Sequence, residues 1–364
     1  MDKIPPIDTA AEVRPGEELP LELLRDFLSN NFPGNENSDL RVRQFPKGFS
    51  NLTYLIEWGS RDFILRRPPF GANVKTAHDM GREFRMLSRL KPVFAKVPQP
   101  LLYCEDDTVI GAPFYLMERV NGVILRAGMP QQAYPNASQM EAVAKKFIQN
   151  LAQLHSLDIH TSGLEDLGKP EGYAERQVQG WIKRYHGSQT HEISAMDFTA
   201  DWLLSHIPPS GKPALIHNDY KYDNLVLDPD DLSHIKAVLD WEMATIGDPL
   251  MDLGTSLAYW VTAEDPDFMK GLNLNISHLP GNPDRTTLAN WYFEATGQPP
   301  VNLIFYYVFG LYKIAVIIQQ IFYRYEKGYT RDPRFAQIIE GVKAYGKAAQ
   351  LAIEKQRMDK LFQN

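Results

Sequence analysis

The stretch over residues 214–252 constrains this chain more than any other. It reads Ala-Leu-Ile-His-Asn-Asp-Tyr-Lys-Tyr-Asp-Asn-Leu-Val-Leu-Asp, then Ile-Lys-Ala-Val-Leu-Asp-Trp-Glu, then Gly-Asp-Pro-Leu-Met-Asp. Three apolar runs, 214–216, 225–227 and 235–239, predict short buried strands. Polar residues gather where the runs end: His217, Asp219, Lys221 and Asn224 around the first two, Asp240 after the third. A strand end hands rigid backbone over to an exposed loop, so a side chain there is both held and reachable. Asp219 is followed by Lys221 two residues on and Asn224 five residues on. Phosphoryl transfer needs a carboxylate to orient a hydroxyl, hard oxygen ligands for Mg2+, and a cation near the moving phosphoryl group. Asp219, then Asn224 with Asp240, then Lys221 match those needs. Asp and Asn also favour turns for local hydrogen-bonding reasons. What sets this stretch apart from turn chemistry is the coincidence of several spaced elements.

The pattern His-x-Asp-x-x-x-x-Asn with a later strand-terminal Asp resembles the catalytic and metal-binding segments of the protein-kinase-like fold. His217-Asn218-Asp219-Tyr220-Lys221-x-x-Asn224-Leu225, backed by Leu239-Asp240-Trp241-Glu242 and Gly247-Asp248-Pro249-x-x-Asp252, is similar to the aminoglycoside phosphotransferase family of small-molecule kinases. In style it resembles the kinase-like domains fused to acyl-CoA dehydrogenases. The resemblance covers about residues 20–350. It implies an α+β, bilobal protein-kinase-like fold: an antiparallel five-stranded β-lobe with one main helix, and a larger, mainly helical lobe. The corresponding divisions are a leader and helix over 1–36, a nucleotide-binding lobe over 37–119 and a catalytic and substrate lobe over 120–364. It further implies ATP and Mg2+ as cofactors, Asp219 as catalytic base, Lys221 beside the γ-phosphate, and Asn224 and Asp240 on the metal. Asp252 would accept backbone N–H bonds from the catalytic loop, His217 would be architectural, and Glu242 would either join the metal shell or be solvated.

Two departures narrow the substrate class. Asn218 stands where regulated protein kinases carry an arginine that pairs with a phosphorylated loop. Only seven residues separate Asp240 from Asp248, too few for a long activation loop or a docked peptide. Both favour a small-molecule hydroxyl as acceptor, with a hydroxy-acid or hydroxyacyl compound suggested by the fused-dehydrogenase style. A polycationic aminoglycoside would demand a carboxylate-rich pocket, and residues 354–364 mix both charges instead.

Upstream, residues 1–19 carry prolines and acids without periodicity and read as a loose leader that wraps over the folded body. A helix is expected over 20–31, and alternating strands over 41–45, 52–58 and 63–66. Between the first two strands, Pro-Lys-Gly-Phe-Ser-Asn offers backbone N–H groups, Ser50 and Asn51 to phosphates. The string Gly-Phe-Ser-Asn-Leu-Thr-Tyr resembles the family's corresponding loop. Arg66, ending the third strand, aligns with the kinase lysine that holds the α- and β-phosphates, and its fork suits that task. On the helix expected over 79–90, Glu83 shares the apolar stripe of Met80, Leu87 and Leu90. A carboxylate facing a core needs a partner, and Arg66 is the natural one. Strands over 98–104 and 113–117 follow, and the resemblance implies that the turn after them sets an adenine against Glu118 and Val120 with Met117 behind. Helices are then expected over 140–155, 171–186 and 196–205, from 254 to 262, and near 302–325 and 334–357.

A net charge of −7 gives no basic field for nucleic acid. One cysteine, Cys104, excludes an internal disulfide and suits a reducing, cytoplasmic setting. The apolar run 303–318 is broken by Gly310 and Lys313, which favours a buried core helix over a membrane segment. A scaffold that binds nucleotide without turnover is the competing class, although every expected catalytic group is present except a lysine where Arg66 stands. A metal-dependent hydrolase lacks paired-histidine spacing.

Overall fold

A computed structural model of the chain describes residues 7–35, 38–45, 51–70, 79–272, 274–330 and 332–363. Backbone contacts divide it into two compact units. One is the described part of Pro6–Val123 together with Lys236–Glu242; the other is the described part of Ile124–Ile235 together with Met243–Asn364.

The first unit contains α1 (Leu21–Asn31), β1 (Leu40–Gln44), β2 (Leu52–Trp58), β3 (Arg61–Arg67), α2 (Met80–Leu90), β4 (Pro100–Cys104) and β5 (Phe114–Glu118). The strands form one antiparallel sheet in the order β1-β2-β3-β5-β4. Alternation along β2 sends Tyr54, Ile56 and Trp58 into a core shared with Leu24 and Leu28 of α1, Leu65, Phe114 and Leu116. Cys104 is a free, buried thiol in the same core, the filler role its chemistry suits. Asp79 caps α2 by accepting the Arg82 N–H at 2.8 Å. The helix then buries Met80, Glu83, Met86, Leu87 and Leu90.

The expected loose leader is tied down from Ile7 onward. Ile7 bridges Val123, Ala11 bridges Gln44, and Ala10 and Leu19 are buried. Single-residue bridges leave no periodic trace in sequence, which is why this segment read as unstructured. The segment Lys236–Glu242 completes this unit. Val238 donates its N–H to Lys96 O at 2.8 Å. The buried Trp241 donates its indole N–H to Val238 O at 2.9 Å and meets Phe94 edge-on.

The second unit contains α3 (Ala137–His155), α4 (Tyr173–Ser188), α5 (Ser194–Ser205), β6 (Ala214–Ile216), β7 (Leu225–Leu227), the start of β8 (Ile235–Val238) and β9 (Thr245–Gly247). It continues with α6 (Pro249–Tyr259), α7 (Asp267–Gly271), α8 (Arg285–Thr296), α9 (Ile304–Glu326) and α10 (Ile339–Lys355). The expected stripe on α3 is buried throughout. β9 was not foreseen; it pairs antiparallel with β6 and pins both ends of the acidic stretch. α6 begins five residues before its expected start at Gly254. Asp248 accepts the Leu250 N–H at 2.8 Å, and Pro249 occupies the first turn, where its missing N–H costs nothing. α7 and α8 were also unforeseen. α8 lies between a capping Asp284 and Gly297 in the left-handed region at φ 67°.

α9 is long and apolar enough to cross a bilayer by length and composition, yet 83% of its most apolar window is buried inside the protein. It packs against α6 and α10 as a core helix. Glycines make the α6–α9 contact possible. A Cβ on Gly310 would lie 2.5 Å from Gly254 O, and one on Gly254 would press into the Tyr306 carbonyl. Gly254→Ala is therefore expected to destabilise the protein by about 2 kcal/mol, the usual scale of overpacking a rigid contact. Chemical denaturation would show a lower midpoint at unchanged slope. An unchanged midpoint would mean the helices part without cost.

Candidate active site

The first unit gathers the residues expected to face a nucleotide. Arg66, on β3, is 9% exposed. Its Nε lies 3.4 Å from Glu83 Oε2, as the apolar stripe of α2 led us to expect. Its Nη2 donates to Asp240 Oδ1 at 3.0 Å and lies 3.6 Å from Glu242 Oε2. Burial pushes the Glu83 carboxyl up, and the Arg66 guanidinium pulls it back. Burial opposes the charge on Arg66 as well, but Glu83, Tyr115, Asp240 and Glu242 together hold its pKa well above the ordinary value. Glu83 thus depends on Arg66 for its countercharge, while Arg66 is shared among Glu83, Asp240 and Glu242.

Glu242 belongs to this cluster and is not simply solvated. Its carboxylate accepts Asn51 Nδ2 at 2.7 Å, and its carbonyl accepts Arg82 Nη1 at 2.7 Å. Asn51 therefore directs its amide nitrogen at a carboxylate. Ser50, with the rest of 46–50, lies outside the described residues. Asp240 sits at φ 66°, a left-handed conformation that aspartate tolerates better than most residues. Glu118 donates its N–H to Gln99 O at 2.9 Å, so that N–H is already engaged within the sheet-bearing unit. Its carboxylate accepts the Gln99 N–H and pairs with Lys91 at 3.3 Å. Val120 is half-buried in the segment after β5.

The second unit holds the catalytic candidates on the loop between β6 and β7. Asp219 Oδ2 lies 3.1 Å from Lys221 Nζ and accepts Asn224 Nδ2 at 3.0 Å. Asn224 Nδ2 also donates to Asp219 O at 2.8 Å. The short helical turn Tyr222–Asn224 folds the asparagine back onto the aspartate. Burial alone would raise the Asp219 carboxyl, but Lys221, then His217 and Lys313, hold it below the usual carboxylate range. The same contact works in reverse, and Asp219 keeps the buried Lys221 firmly protonated.

Behind this trio the backbone is clamped. Asp252, fully buried on α6, accepts the His217 N–H at 2.7 Å and the Asn218 N–H at 2.8 Å. His155 Nε2 lies 3.1 Å from the same carboxylate, and its Nδ1 meets the Tyr292 hydroxyl at 2.8 Å. Asp252 thus holds the loop as its position in the sequence implied. His217 is wholly buried, and its Nδ1 accepts the Asp219 N–H at 3.3 Å, the architectural part expected of it. Asn218 adopts φ 68°. Its side chain bridges the Tyr173 hydroxyl at 3.1 Å and the Met243 carbonyl at 3.0 Å.

Two residues escaped the sequence reading. Tyr259, at the end of α6, shares a hydrogen bond with Asp219, and Lys221 Nζ stands 4.9 Å from its ring centroid. Nothing in the sequence separated it from the many other aromatics. Lys313 donates from α9 to the Asn218 carbonyl at 2.6 Å. A lone cation inside a buried apolar helix was the available signal, since such a charge requires a partner.

Among the described residues, no three or more His, Cys, Asp or Glu side chains come together to hold an ion by themselves. Mg2+ that arrives on nucleotide phosphates needs only one or two protein oxygens. By chemistry, Asn224 in the second unit offers an amide oxygen and Asp240 in the first offers a carboxylate, both of the oxygen type Mg2+ takes.

The model of the phosphotransferase enzyme family matches residues 41–285. Acyl-CoA dehydrogenase family member 11 of Rattus norvegicus is 36% identical over 326 residues, covering 87% of this chain and 41% of its own length. The chain thus spans about two fifths of that relative. A solved structure from Ralstonia eutropha JMP134, described as a candidate aminoglycoside phosphotransferase, is 29% identical with a TM-score of 0.77, covering 93% of this chain and 99% of its own. Choline kinase from Cryptosporidium parvum Iowa II shares the fold at 13% identity and a TM-score of 0.61, covering 94% and 98%. With a five-stranded antiparallel sheet in one unit, a mainly helical second unit and a family match over most of both, the chain belongs to the phosphotransferase enzyme family and has the protein-kinase-like α+β fold.

Proposed function

We propose that this chain transfers the γ-phosphoryl group of ATP to a hydroxyl of a small-molecule acceptor. The observation that carries the reading is the Asp219–Lys221–Asn224 trio, closed to within 3.1 Å and set on a loop whose backbone is clamped from behind. Asp219 orients the acceptor hydroxyl and takes its proton late, as the loose transition state of phosphoryl transfer requires. Its depressed pKa leaves it ionised at neutral pH, ready to accept. Lys221 offsets charge on the transferred group. Arg66, steadied by Glu83, binds phosphate oxygens, and Glu118 and Val120 flank the adenine. Asn224 and Asp240 are the residues that would each offer Mg2+ an oxygen, and bound Mg2+ would supply charge neutralisation at the phosphates.

The acceptor is a hydroxy-acid or hydroxyacyl compound. The groups that act on Asp219 are cations, Lys221 foremost, and these suit an acceptor with negative charge better than a polycationic aminoglycoside. The test is ADP release under saturating Mg-ATP across a panel of hydroxy-acids, their coenzyme A esters, choline and aminoglycosides, with Asp219→Ala as the blank. Stimulation by an acid or its ester is expected. Stimulation by aminoglycosides alone would overturn the acceptor class, and no stimulation by any alcohol would overturn the activity.

A further inference from the structure

We propose that Lys313 is a positioning residue of the active site: by holding the Asn218 carbonyl it sets the orientation of the peptide that carries Asp219. This role rests on the phosphotransferase reading of Asp219. The peptide between Asn218 and Asp219 is planar, so fixing both of its polar ends fixes the direction in which the Asp219 side chain leaves the backbone. Its carbonyl accepts Lys313 Nζ at 2.6 Å, and its N–H donates to His217 Nδ1 at 3.3 Å. One residue back, the Asn218 N–H is taken by Asp252 at 2.8 Å. Asn218 itself is held at φ 68°, a left-handed conformation that asparagine enters more readily than other non-glycine residues. The restraint comes from two helices at once, Asp252 on α6 and Lys313 on α9. The glycine contact between those helices at Gly254 and Gly310 brings them together, and Lys313 lies three residues beyond Gly310.

Packing alone does not call for an ammonium here. Lys313 is 2% exposed in a helix of Ile, Val, Phe and Tyr, where methionine would fill similar space without a charge to desolvate. The Trp181 ring, 5.7 Å from Nζ, offers a second, weaker contact on the α4 side. The charged groups facing it are Asp219, Asp252, Lys221 and Arg184. Burial draws its pKa down to about 8, against the pull of the two carboxylates. At neutral pH the group is therefore mostly charged and adds its field to the loop as well as its hydrogen bond.

The test compares Lys313→Met and Lys313→Gln with the full parent chain. Turnover of Mg-ATP is measured with the acceptor found by the panel, or as basal hydrolysis with water. Losing a charged, buried hydrogen bond that acts on the base is expected to lower kcat about 30-fold in Lys313→Met, with the KM for ATP within about threefold. Lys313→Gln, which keeps a donor without the charge, should recover part of the loss. A crystal structure of Lys313→Met should show Asn218 out of the left-handed region. A kcat within about threefold of the parent, or an Asn218–Asp219 peptide unmoved in the crystal, would overturn the role. If the parent turns over no ATP, the phosphotransferase reading fails alone, and the crystal structure still decides whether Lys313 sets the peptide. If Lys313→Met does not fold, the same two readouts on Lys313→Leu decide.

Discussion

Asp219→Asn should lower phosphotransfer turnover about 1,000-fold, within the usual span for loss of a positioned general base. The substitution is close to isosteric, and the clamp on the loop does not involve the Asp219 side chain: Asp252 holds the His217 and Asn218 N–H groups on its own. Affinity for Mg-ATP, measured by calorimetry, should change by no more than about threefold, so the loss falls on kcat. Lys221 loses the carboxylate 3.1 Å away, and the thermal midpoint must be followed alongside to separate that effect. The acid side of the pH profile offers a second check. Asp219 is held below the usual carboxylate range, so it stays ionised as pH falls through the neutral region, and no acid limb from this group should appear above about pH 5. A turnover within tenfold of the parent would remove Asp219 from the chemistry.

Asp252→Ala should cost about 4 kcal/mol of stability, the range measured when one partner of a buried ionic network is deleted. Two backbone N–H groups and His155 lose their acceptor together, at a fully buried position. Burial would raise this carboxyl, but the hydrogen bond from His155 and the neighbouring donors draw it below the ordinary value. A carboxyl depressed in the folded state contributes its stability above the unfolded pKa, about 3.9, and loses it as pH falls through the lower folded value. The gap between parent and variant should therefore be full at pH 7 and narrow in strong acid. Urea denaturation at both ends of that range measures it. A gap that stays the same in acid would mean that Asp252 acts by packing alone.

Much of this was legible because burial imposes periodicity. The β2 alternation, the α3 stripe and the placement of Glu83 among apolar neighbours each follow from which face must leave water. The pairing of Glu83 with Arg66 followed in turn, since a buried carboxylate must find a cation. What stayed hidden was held by contacts that leave no period. The bridges at Ile7 and Ala11 are single residues. The true start of α6 lay in a cap, Asp248-Pro249, ahead of the start expected at Gly254. Lys313 and Gly310 were read as interruptions of an apolar run, whereas one reaches the catalytic loop and the other admits a neighbouring helix. Asn51 and Glu242 were assigned separately, yet their side chains are hydrogen-bonded to each other, a contact between residues 191 positions apart.

The path of the chain has a practical consequence. Residues 236–242 return to the sheet-bearing unit long after the chain has left it, bringing Trp241 into its interior and Asp240 beside Arg66. A gene fragment cut after Val123 would encode a sheet missing one of its large interior rings and the acid opposite its arginine. Grafting that unit onto another member of the family would demand three crossovers, one after Val123 and one at each end of the borrowed heptapeptide. A lone recombination point cannot carry the whole unit across.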